Sequence, residues 1–409
     1  MADVPVVIVG GGVAGLTCAR VLQQAGRSFV IAEASDRIGG RVRSDQCEGF
    51  ILDRGFQVLL TAYPEVRRFI DLRDLGLKPF FPGAMIWTGE RFYRLADPFR
   101  KPLTAFLSLF DSVATIADKF RVLRLRRESM TGSLSDLWQR PERPTREYLE
   151  QLGFSERFIR EFFQPFLSGV FLERNLSTSS RMLQFVIRMF GAGLTMVPTR
   201  GIERIPERLA APLRSDCIRL NSPVRSLHAD GVEFTSGERL SSPDIVVAAA
   251  GEFGDSSRRE WSGTTCCYFD APVPPMKGPY LILNGSGQGR VSNVTVLSEV
   301  AAEYAPAGRS LVSVSVPELS TRGDAEESEA CRSELKSWFG SSVAEWRTLR
   351  VYRIPHALPR TERIPDLING AAVTRRNGII HCGDHLTYGS LNGAMASGRL
   401  AAETILSGS

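Results

Sequence analysis

The fold is decided by residues 5–15, PVVIVGGGVAG, and by the segments that follow them. The β-branched run before the glycines is typical of a strand that is buried on both faces. Residues 13–25 then predict a helix, and residues 28–32 predict a second strand that ends at Glu33. A strand, a glycine-rich turn, a helix and a strand that ends in an acidic residue are the parts of a dinucleotide-binding unit.

Three glycines with GxGxxG spacing give this unit its chemistry. Gly10 allows the tight turn, Gly12 lets a pyrophosphate approach the backbone, and Gly15 lets the helix pack closely on the strand. The N–H groups of the first helical turn offer a partial positive charge to phosphate, and Glu33 can accept hydrogen bonds from an adenosine ribose. The unit therefore predicts these cofactor-binding residues: Gly10, Gly12, Val13, Ala14, Gly15, Glu33 and Ala34.

A second loop favours FAD over NAD, although both cofactors use such a unit. Just beyond the ribose acid come Arg37, Gly39, Gly40 and Arg41. Two residues without side chains, flanked by guanidinium groups, suit a second phosphate-facing loop. The alternative interpretation is an exposed basic turn.

The other end of the chain adds an independent signal. Residues 378–382 predict a short strand that leads into Gly383 and Asp384, and residues 390–403 predict a helix rich in small residues. Small side chains let a helix lie close to a ligand or a sheet. The N-terminus of this helix, near Leu391, suits a flavin pyrimidine carbonyl, where the reduced ring carries negative charge. An ordinary core helix is the alternative.

Together these segments resemble the FAD-dependent amine oxidase superfamily, which includes flavin amine oxidases, phytoene desaturases and protoporphyrinogen oxidases. The resemblance implies a two-electron oxidation in which the substrate delivers hydride to flavin N5. It also implies further cofactor-binding residues, of which Val224 would hold the adenine through its backbone and residues 55–57 would line the isoalloxazine. These residues are Gly55, Phe56, Val224, Gly383, Asp384, Leu391 and Asn392.

Catalytic residues are not assigned by the resemblance, because two family positions differ here. The flavin lysine of many amine oxidases falls at Thr264 or Thr265, and the nearby Lys277 lies in a proline-rich turn. The aromatic cage position falls at Ser390, with Tyr388 two residues earlier. These departures place the chain closer to the desaturases and protoporphyrinogen oxidases. The flavin-facing candidates are Phe56, Gln57 and Tyr388.

The predicted fold class is α/β at the two ends and α+β overall, with a Rossmann-like FAD-binding domain interleaved with a mixed helix and sheet substrate domain. Phenylalanines in residues 154–171 indicate either a helix core or an apolar substrate cavity, and residues 318–329 predict a loop that leads into a helix at residue 328. The FAD-binding domain is predicted to comprise residues 1–62, 196–252 and 356–409, and the substrate domain residues 63–195 and 253–355.

Composition excludes several classes of protein. The chain has 409 residues, of which 43% are hydrophobic and 23% charged, which is ordinary for a globular protein and not for a disordered or collagen-like one. A net charge of +5 is too small to indicate nucleic-acid binding. Seven cysteines without a CxxC pair and four scattered histidines predict neither a disulfide framework nor a metal site.

In the family, covalent FAD is attached to a Cys just before the closing strand; residues 371–377 contain none, so the FAD is expected to be non-covalent.

Possible partners follow from one basic segment. Residues 91–127 contain nine basic and three acidic side chains, and between the basic clusters lies the apolar run 103–110. This pattern fits an interfacial helix, while a core helix with a solvated basic end is the alternative. We therefore expect a cytoplasmic protein, with peripheral membrane contact left open.

The expected substrate is lipophilic or an amine, with dioxygen or a quinone as electron acceptor. The alternatives are a carotenoid desaturase, isomerase or protoporphyrinogen oxidase-like enzyme, or an FAD-binding protein without redox turnover.

Overall fold

The computed structural model describes residues 4–97, 100, 113–249, 260–365 and 373–408. The apolar run 103–110 lies outside these residues. In chain order the described strands are β1 (Val6–Val9), β2 (Phe29–Ala32), β3 (Ser44–Cys47), β4 (Phe50–Asp53), β5 (Leu59–Leu60), β6 (Leu77–Pro79), β7 (Gly83–Trp87), β8 (Phe92–Ala96), β9 (Thr195–Pro198), β10 (Ile218–Arg219), β11 (Val224–His228), β12 (Gly231–Phe234), β13 (Arg239–Ser241), β14 (Ile245–Val247), β15 (Trp261–Ala271), β16 (Leu281–Asn284), β17 (Asn293–Val296), β18 (Ser310–Val316), β19 (Arg347–Pro359), β20 (Thr374–Arg376) and β21 (Ile379–His381).

The α-helices in the same part of the chain are α1 (Val13–Gln24), α2 (Pro64–Phe69), α3 (Ile116–Met130), α4 (Leu134–Gln139), α5 (Thr145–Gln151), α6 (Glu156–Phe158), α7 (Gln164–Phe171), α8 (Ser180–Ala192), α9 (Arg204–Ala210), α10 (Leu297–Val300), α11 (Asp324–Phe339) and α12 (Leu391–Leu406). Short 3-10 turns cover Leu72–Leu75, Ser215–Cys217, Ala302–Tyr304, Gly340–Glu345 and Asp384–Leu386, and one π-helical turn covers Ile159–Phe163.

A six-stranded sheet joins three distant parts of the chain. Its order is β10-β2-β1-β14-β21-β20, and all pairs except β20 with β21 are parallel. The central strand β1 is buried at every residue, as expected of a parallel strand covered on both faces. The carboxyl ends of β1, β2 and β21 therefore meet at one edge, which is where ligands bind in such sheets.

Helices α1 and α12 pack against each other on this sheet at very short range. A Cβ atom added at Gly398 would lie 2.0 Å from the carbonyl oxygen of Ala14, so only glycine fits there. The small residues predicted for the closing helix thus serve first to bring the two ends of the chain together.

A seven-stranded sheet forms the second layer, in the order β19-β15-β18-β17-β16-β7-β8. Helix α11 covers one of its faces, where Cys331, Leu335 and Trp338 pack among buried valines of the strands. This helix begins at Asp324, so the prediction of a loop through residue 329 was wrong. Asp324, Glu326 and Glu327 lie in the first helical turn, where they complement the positive end of the helix dipole.

The helices between β8 and β9 pack into one apolar core with α1 and the parallel sheet. Phe154, Phe158, Phe163 and Phe171 are each at most 5% exposed, and their rings contact one another or the neighbouring helices. Of the two interpretations of this aromatic run, the helix core is the one that the packing supports. The combination of parallel sheet, mixed sheet and helices confirms the predicted fold class. The boundaries between the two domains stay a prediction.

Candidate functional site

The two glycine loops lie side by side at the N-terminus of α1. Gly12 forms a parallel β-bridge with Gly39, and the N–H of Gly39 donates to the carbonyl of Gly11 over 2.9 Å. A Cβ atom on Gly40 would lie 3.2 Å from the Cα of Gly12. The residues expected from each loop therefore line one continuous strip of backbone without side chains.

This strip fits a pyrophosphate. The backbone of Gly12 is extended, and a Cβ added there would find only the Cα of Gly40, 3.9 Å away, so the space in front of it is open. No side chain caps the helix at Gly12, and its first turn contains no acidic residue. The N–H groups of Val13, Ala14 and Gly15 start that turn, where a helix offers hydrogen bonds and positive charge to an anion.

Glu33 lies at the carboxyl end of β2 and is only 9% exposed. Its carboxylate accepts hydrogen bonds from the N–H of Gly11 at 2.6 Å and from the N–H and hydroxyl of Ser35 at 2.9 and 2.5 Å. The carboxylate is thus held against the glycine turn, as a ribose ligand requires. The neighbouring Ala34 is exposed, and Val224 begins β11 half-buried.

The arginines of the second loop are held by acidic partners. Arg37 pairs with Asp45 at 2.5 Å and with Glu203 at 3.4 Å. Arg43, which the sequence analysis did not single out, donates to the Ser35 hydroxyl and the Arg37 carbonyl. The Nε atoms of both arginines are buried and have no hydrogen-bond partner among the described residues. Buried donors without acceptors fit an anionic ligand at this loop.

Arg41 joins the opening unit to the closing segment. Its guanidinium pairs with the carboxylate of Asp384 at 2.5 Å and donates to the carbonyl of Ala357 at 3.0 Å. The same group lies 5.2 Å from the ring centre of Trp261, at the start of β15. The Arg41 side chain of the opening unit therefore contacts both the closing segment and the seven-stranded sheet.

Residues 55–57 turn from the parallel-sheet side toward β19. Gly55 has a φ of 85°, and a Cβ there would lie 2.7 Å from Cδ1 of Ile354. The amide of Gln57 donates to the carbonyls of Arg41 and Arg54, at 3.1 Å each. Phe56 packs edge-on against Phe80. Gln57 thus holds the loop that contains Arg41 in place.

Asp53 is a buried acid that sequence reasoning missed. Its carboxylate accepts from the hydroxyl of Ser44 at 2.6 Å, the N–H of Ile202 at 2.9 Å and the hydroxyl of Tyr304 at 2.9 Å. Tyr268 donates to its backbone carbonyl at 2.8 Å. Burial raises the pKa of Asp53 to about 6, although these hydrogen bonds oppose the shift. No local signal marks the residue, because three of its four partners come from distant segments of the chain.

Tyr388 and Asn392 lie where α12 begins. Tyr388 is 5% exposed, and its ring contacts Trp138 at 4.6 Å and Phe185 at 4.9 Å. The side-chain amide of Asn392 donates to the Tyr388 hydroxyl at 2.7 Å, and its oxygen accepts from the N–H of Glu65 at 3.0 Å. Burial raises the pKa of Tyr388, so the hydroxyl stays protonated at physiological pH. The helix starts at Leu391, and the Ser390 hydroxyl caps it by accepting from the N–H of Gly393 at 2.9 Å.

The two positions that match the flavin lysine of the family are threonines whose hydroxyl groups donate hydrogen bonds within the protein. Thr264 and Thr265 donate to the carbonyls of Val316 and Glu318, at 2.9 Å each. Lys277 lies exposed in the turn between β15 and β16.

Among the described residues, no helix is long and apolar enough to cross a membrane.

Comparison with known proteins agrees with the resemblance to the FAD-dependent amine oxidase superfamily. A sequence model of the family described as flavin containing amine oxidoreductase matches residues 13–251 and 266–406. A putrescine oxidase from Kocuria rosea is 27% identical over 267 residues, which are 59% of this chain and 53% of that protein. A carotenoid phi-ring synthase from Streptomyces griseus is 26% identical over 74% of this chain and 67% of its own length. The chain spans about half the length of the putrescine oxidase that it matches.

Solved structures share the fold at low sequence identity. A putative protoporphyrinogen oxidase from Exiguobacterium sp. 255-15 superposes with a TM-score of 0.73 and 19% identity, covering 100% of both chains. A reduced UDP-galactopyranose mutase gives a TM-score of 0.67 at 17% identity, over 99% of this chain and 96% of that one. The family match confirms the resemblance that the two ends of the sequence indicate.

Proposed function

The chain belongs to the family of flavin-containing amine oxidoreductases, and from that premise we propose that it is an FAD-dependent oxidoreductase that takes hydride from a lipophilic or amine substrate. The observation that carries the proposal is the meeting of both ends of the chain at one site, through the ion pair of Arg41 with Asp384. FAD, when bound, supplies the two-electron acceptor, and dioxygen or a quinone reoxidises it.

The chain's own residues would bind and orient the cofactor. The backbone of Gly12 and the first turn of α1 receive the pyrophosphate, Glu33 receives the ribose, and Arg37 and Arg41, which keep their acidic partners, flank the phosphates, where the Nε of Arg37 has a hydrogen to donate. The start of α12 presents its N–H groups to the flavin ring. The FAD is non-covalent. The full proposed set is Gly10, Gly12, Val13, Ala14, Gly15, Glu33, Ala34, Arg37, Gly39, Gly40, Arg41, Gly55, Phe56, Val224, Gly383, Asp384, Leu391 and Asn392.

The substrate would approach between the parallel sheet and the seven-stranded sheet, at the boundary of the two predicted domains. Tyr388 is the flavin-facing candidate with a hydroxyl group, and the buried rings around it exclude water from that side. This apolar surrounding supports a lipophilic substrate over a strongly charged one. Thr264 or Thr265 in place of a lysine further favours a desaturase or protoporphyrinogen oxidase type of reaction over simple amine oxidation.

Anaerobic flavin reduction tests the redox proposal. The FAD-loaded protein is mixed with a diamine, a carotenoid in detergent, or protoporphyrinogen, and the flavin absorbance is followed. We expect stoichiometric bleaching by one of these classes. If dithionite bleaches the flavin but no substrate does, the alternative of an FAD-binding protein without redox turnover is supported instead.

A matched pair of variants tests the role of Tyr388. Tyr388→Phe removes the hydroxyl that Asn392 contacts, while Tyr63→Phe removes one from a buried tyrosine whose ring is stacked on Phe185 in the same aromatic cluster. We expect slower flavin reduction in Tyr388→Phe and an unchanged rate in Tyr63→Phe. Equal rates in both variants would remove Tyr388 from the site.

The protein is further proposed to be cytoplasmic with peripheral contact to anionic membranes through the basic segment 91–127, which includes most of α3. Ile116 and Phe120 are each 67% exposed, and they share one helix face with Leu123, Arg124 and Arg127. Apolar side chains beside basic ones suit a lipid interface, with about 1 kcal/mol per basic residue near anionic lipid.

Vesicle co-sedimentation tests this contact. Binding to anionic vesicles should be present at low salt, fade as salt is added, and be weakened by Phe120→Ser. The control is Leu319→Ser, which removes an exposed leucine from a distant loop. No binding at low salt would contradict the proposal.

A further inference from the structure

Three buried side chains with metal-binding atoms meet between β15 and α11. They are Cys267 on the strand, and Glu327 and Cys331 on the helix. Their ligand atoms all lie within 4.8 Å of one another, and each residue is fully buried. Glu327 and Cys331 are four residues apart, so they share one helix face, and the sheet brings Cys267 to that face. The sequence predicted no metal site because Cys267 is distant along the chain.

The spacing of these atoms matches a tetrahedral zinc site. The two sulfur atoms are 3.9 Å apart, and Sγ of Cys331 is 3.9 Å from Oε1 of Glu327. With Zn–S bonds of about 2.3 Å and a Zn–O bond of about 2.0 Å, a tetrahedral ion separates two sulfurs by about 3.8 Å and a sulfur from an oxygen by about 3.5 Å. The remaining separation, from Sγ of Cys267 to the carboxylate oxygen, is at most 4.8 Å, so completing the geometry requires these two atoms to approach each other by up to about 1.3 Å.

The charges also balance, which a buried ion requires. Glu327 is already paired with Arg290, whose Nε lies 3.2 Å from its carboxylate. A dication would displace one proton from each thiol, forming two metal–sulfur bonds and releasing two protons to solvent. The two thiolates then neutralise the ion, and the ion pair of Glu327 with Arg290 remains neutral. Ser320 donates to the second carboxylate oxygen and orients it, as an outer-shell partner of a metal ligand does.

An access route lies next to the cluster. A cleft of about 570 Å³ is lined by Arg290 and Ser320, the two residues that contact the carboxylate of Glu327. Because the three ligand residues are themselves fully buried, the ion and a water as its fourth ligand would reach the cluster past the side chains of Arg290 and Ser320. We propose that Cys267, Glu327 and Cys331 bind one zinc-type cation that links α11 to the seven-stranded sheet. This site lies beyond the proposed flavin chemistry and does not depend on it.

Metal content and a thiolate spectrum test the proposal. The FAD-loaded protein, purified without metal-affinity chromatography and treated with a chelator, receives one equivalent of Zn²⁺ or Cd²⁺ and is then desalted. We expect about one metal ion per chain, an ultraviolet cadmium–thiolate band and a raised melting temperature. Cys331→Ser should lose the metal and the band, and Glu327→Gln should weaken binding at least tenfold.

Cys266→Ser is the matched control. Cys266 is also buried and adjacent in the strand, but its sulfur faces the hydroxyl of Ser313 on the opposite side of the sheet. This variant should bind metal as the wild type does, and flavin absorbance shows whether each variant is folded. Less than about a tenth of an ion per chain in the wild type, or equal binding in Cys331→Ser and Cys266→Ser, would overturn the site. A Cys267–Cys331 disulfide in freshly purified wild type would overturn it as well.

Discussion

Alanine substitutions at two glycines of the same motif should have different effects. One should weaken FAD binding, and the other should destabilise the fold. At Gly12 the backbone is extended, which any residue adopts, and the nearest atom to a new Cβ is 3.9 Å away. At Gly15 a new Cβ would lie 2.0 Å from the carbonyl oxygen of Gly10, which is backbone and cannot rotate away. Gly12→Ala therefore disturbs the ligand space and Gly15→Ala disturbs the fold.

The magnitudes follow from these contacts. Replacing glycine by alanine at the helix N-cap costs at most about 1 kcal/mol, so flavin-free Gly12→Ala should melt within a few degrees of the wild type. A methyl group in the pyrophosphate approach is an overpacking of about 1–3 kcal/mol, which weakens FAD binding roughly 5- to 150-fold. Gly15→Ala must move α1 away from β1, and we expect it to destabilise the flavin-free protein by more than about 3 kcal/mol.

The assay measures both quantities on the same samples. Flavin is removed, the melting temperature of the flavin-free protein is recorded, and FAD is then titrated while its fluorescence is followed. A Gly12→Ala protein that binds FAD within about twofold of the wild type would refute the placement of the pyrophosphate at Gly12. A Gly15→Ala protein of normal stability would refute the close packing of α1 on β1.

Three further predictions concern the cofactor and one buried acid. Glu33→Gln, which removes the charge of the ribose acceptor, should weaken FAD binding at least about tenfold. Asp36→Asn, on the exposed side of the loop, should leave FAD binding unchanged, and a titration with FAD distinguishes the two variants. Acid precipitation should leave the FAD in the supernatant, and a yellow pellet would contradict non-covalent binding. Because burial raises the pKa of Asp53 to about 6 in the folded protein, the native state holds its proton more tightly than the unfolded chain does. The stabilisation that comes from this proton on Asp53 is therefore greatest below pH 4 and is lost as the pH rises through 6. Denaturant titrations over that range should therefore show Asp53→Asn gaining stability relative to the wild type. A difference that does not change with pH would contradict the shifted pKa.

The two ends of the chain could be predicted from the sequence because their signals are local. A buried strand, a glycine turn and an amphipathic helix each follow from a few consecutive residues, so the helix predicted over residues 13–25 is observed as Val13–Gln24. The predicted strand over residues 28–32 is observed as Phe29–Ala32. The family resemblance rests on the same local motifs. The helix predicted from residue 328 is observed as Asp324–Phe339, and its first turn was missed because a charged stretch looks like a loop until its place at a helix N-terminus is known.

Only the tertiary structure decided which distant residues meet. Arg41 and Asp384 are 343 residues apart, and Asp53 and Tyr304 are 251 apart, yet each pair shares a hydrogen bond. The sulfurs of Cys267 and Cys331 come together because a helix packs on one face of a strand, while the neighbouring Cys266 points to the other face. Periodicity along the chain specifies which face of an element is buried, but it does not specify which element packs against that face. That choice depends on the packing of the whole core.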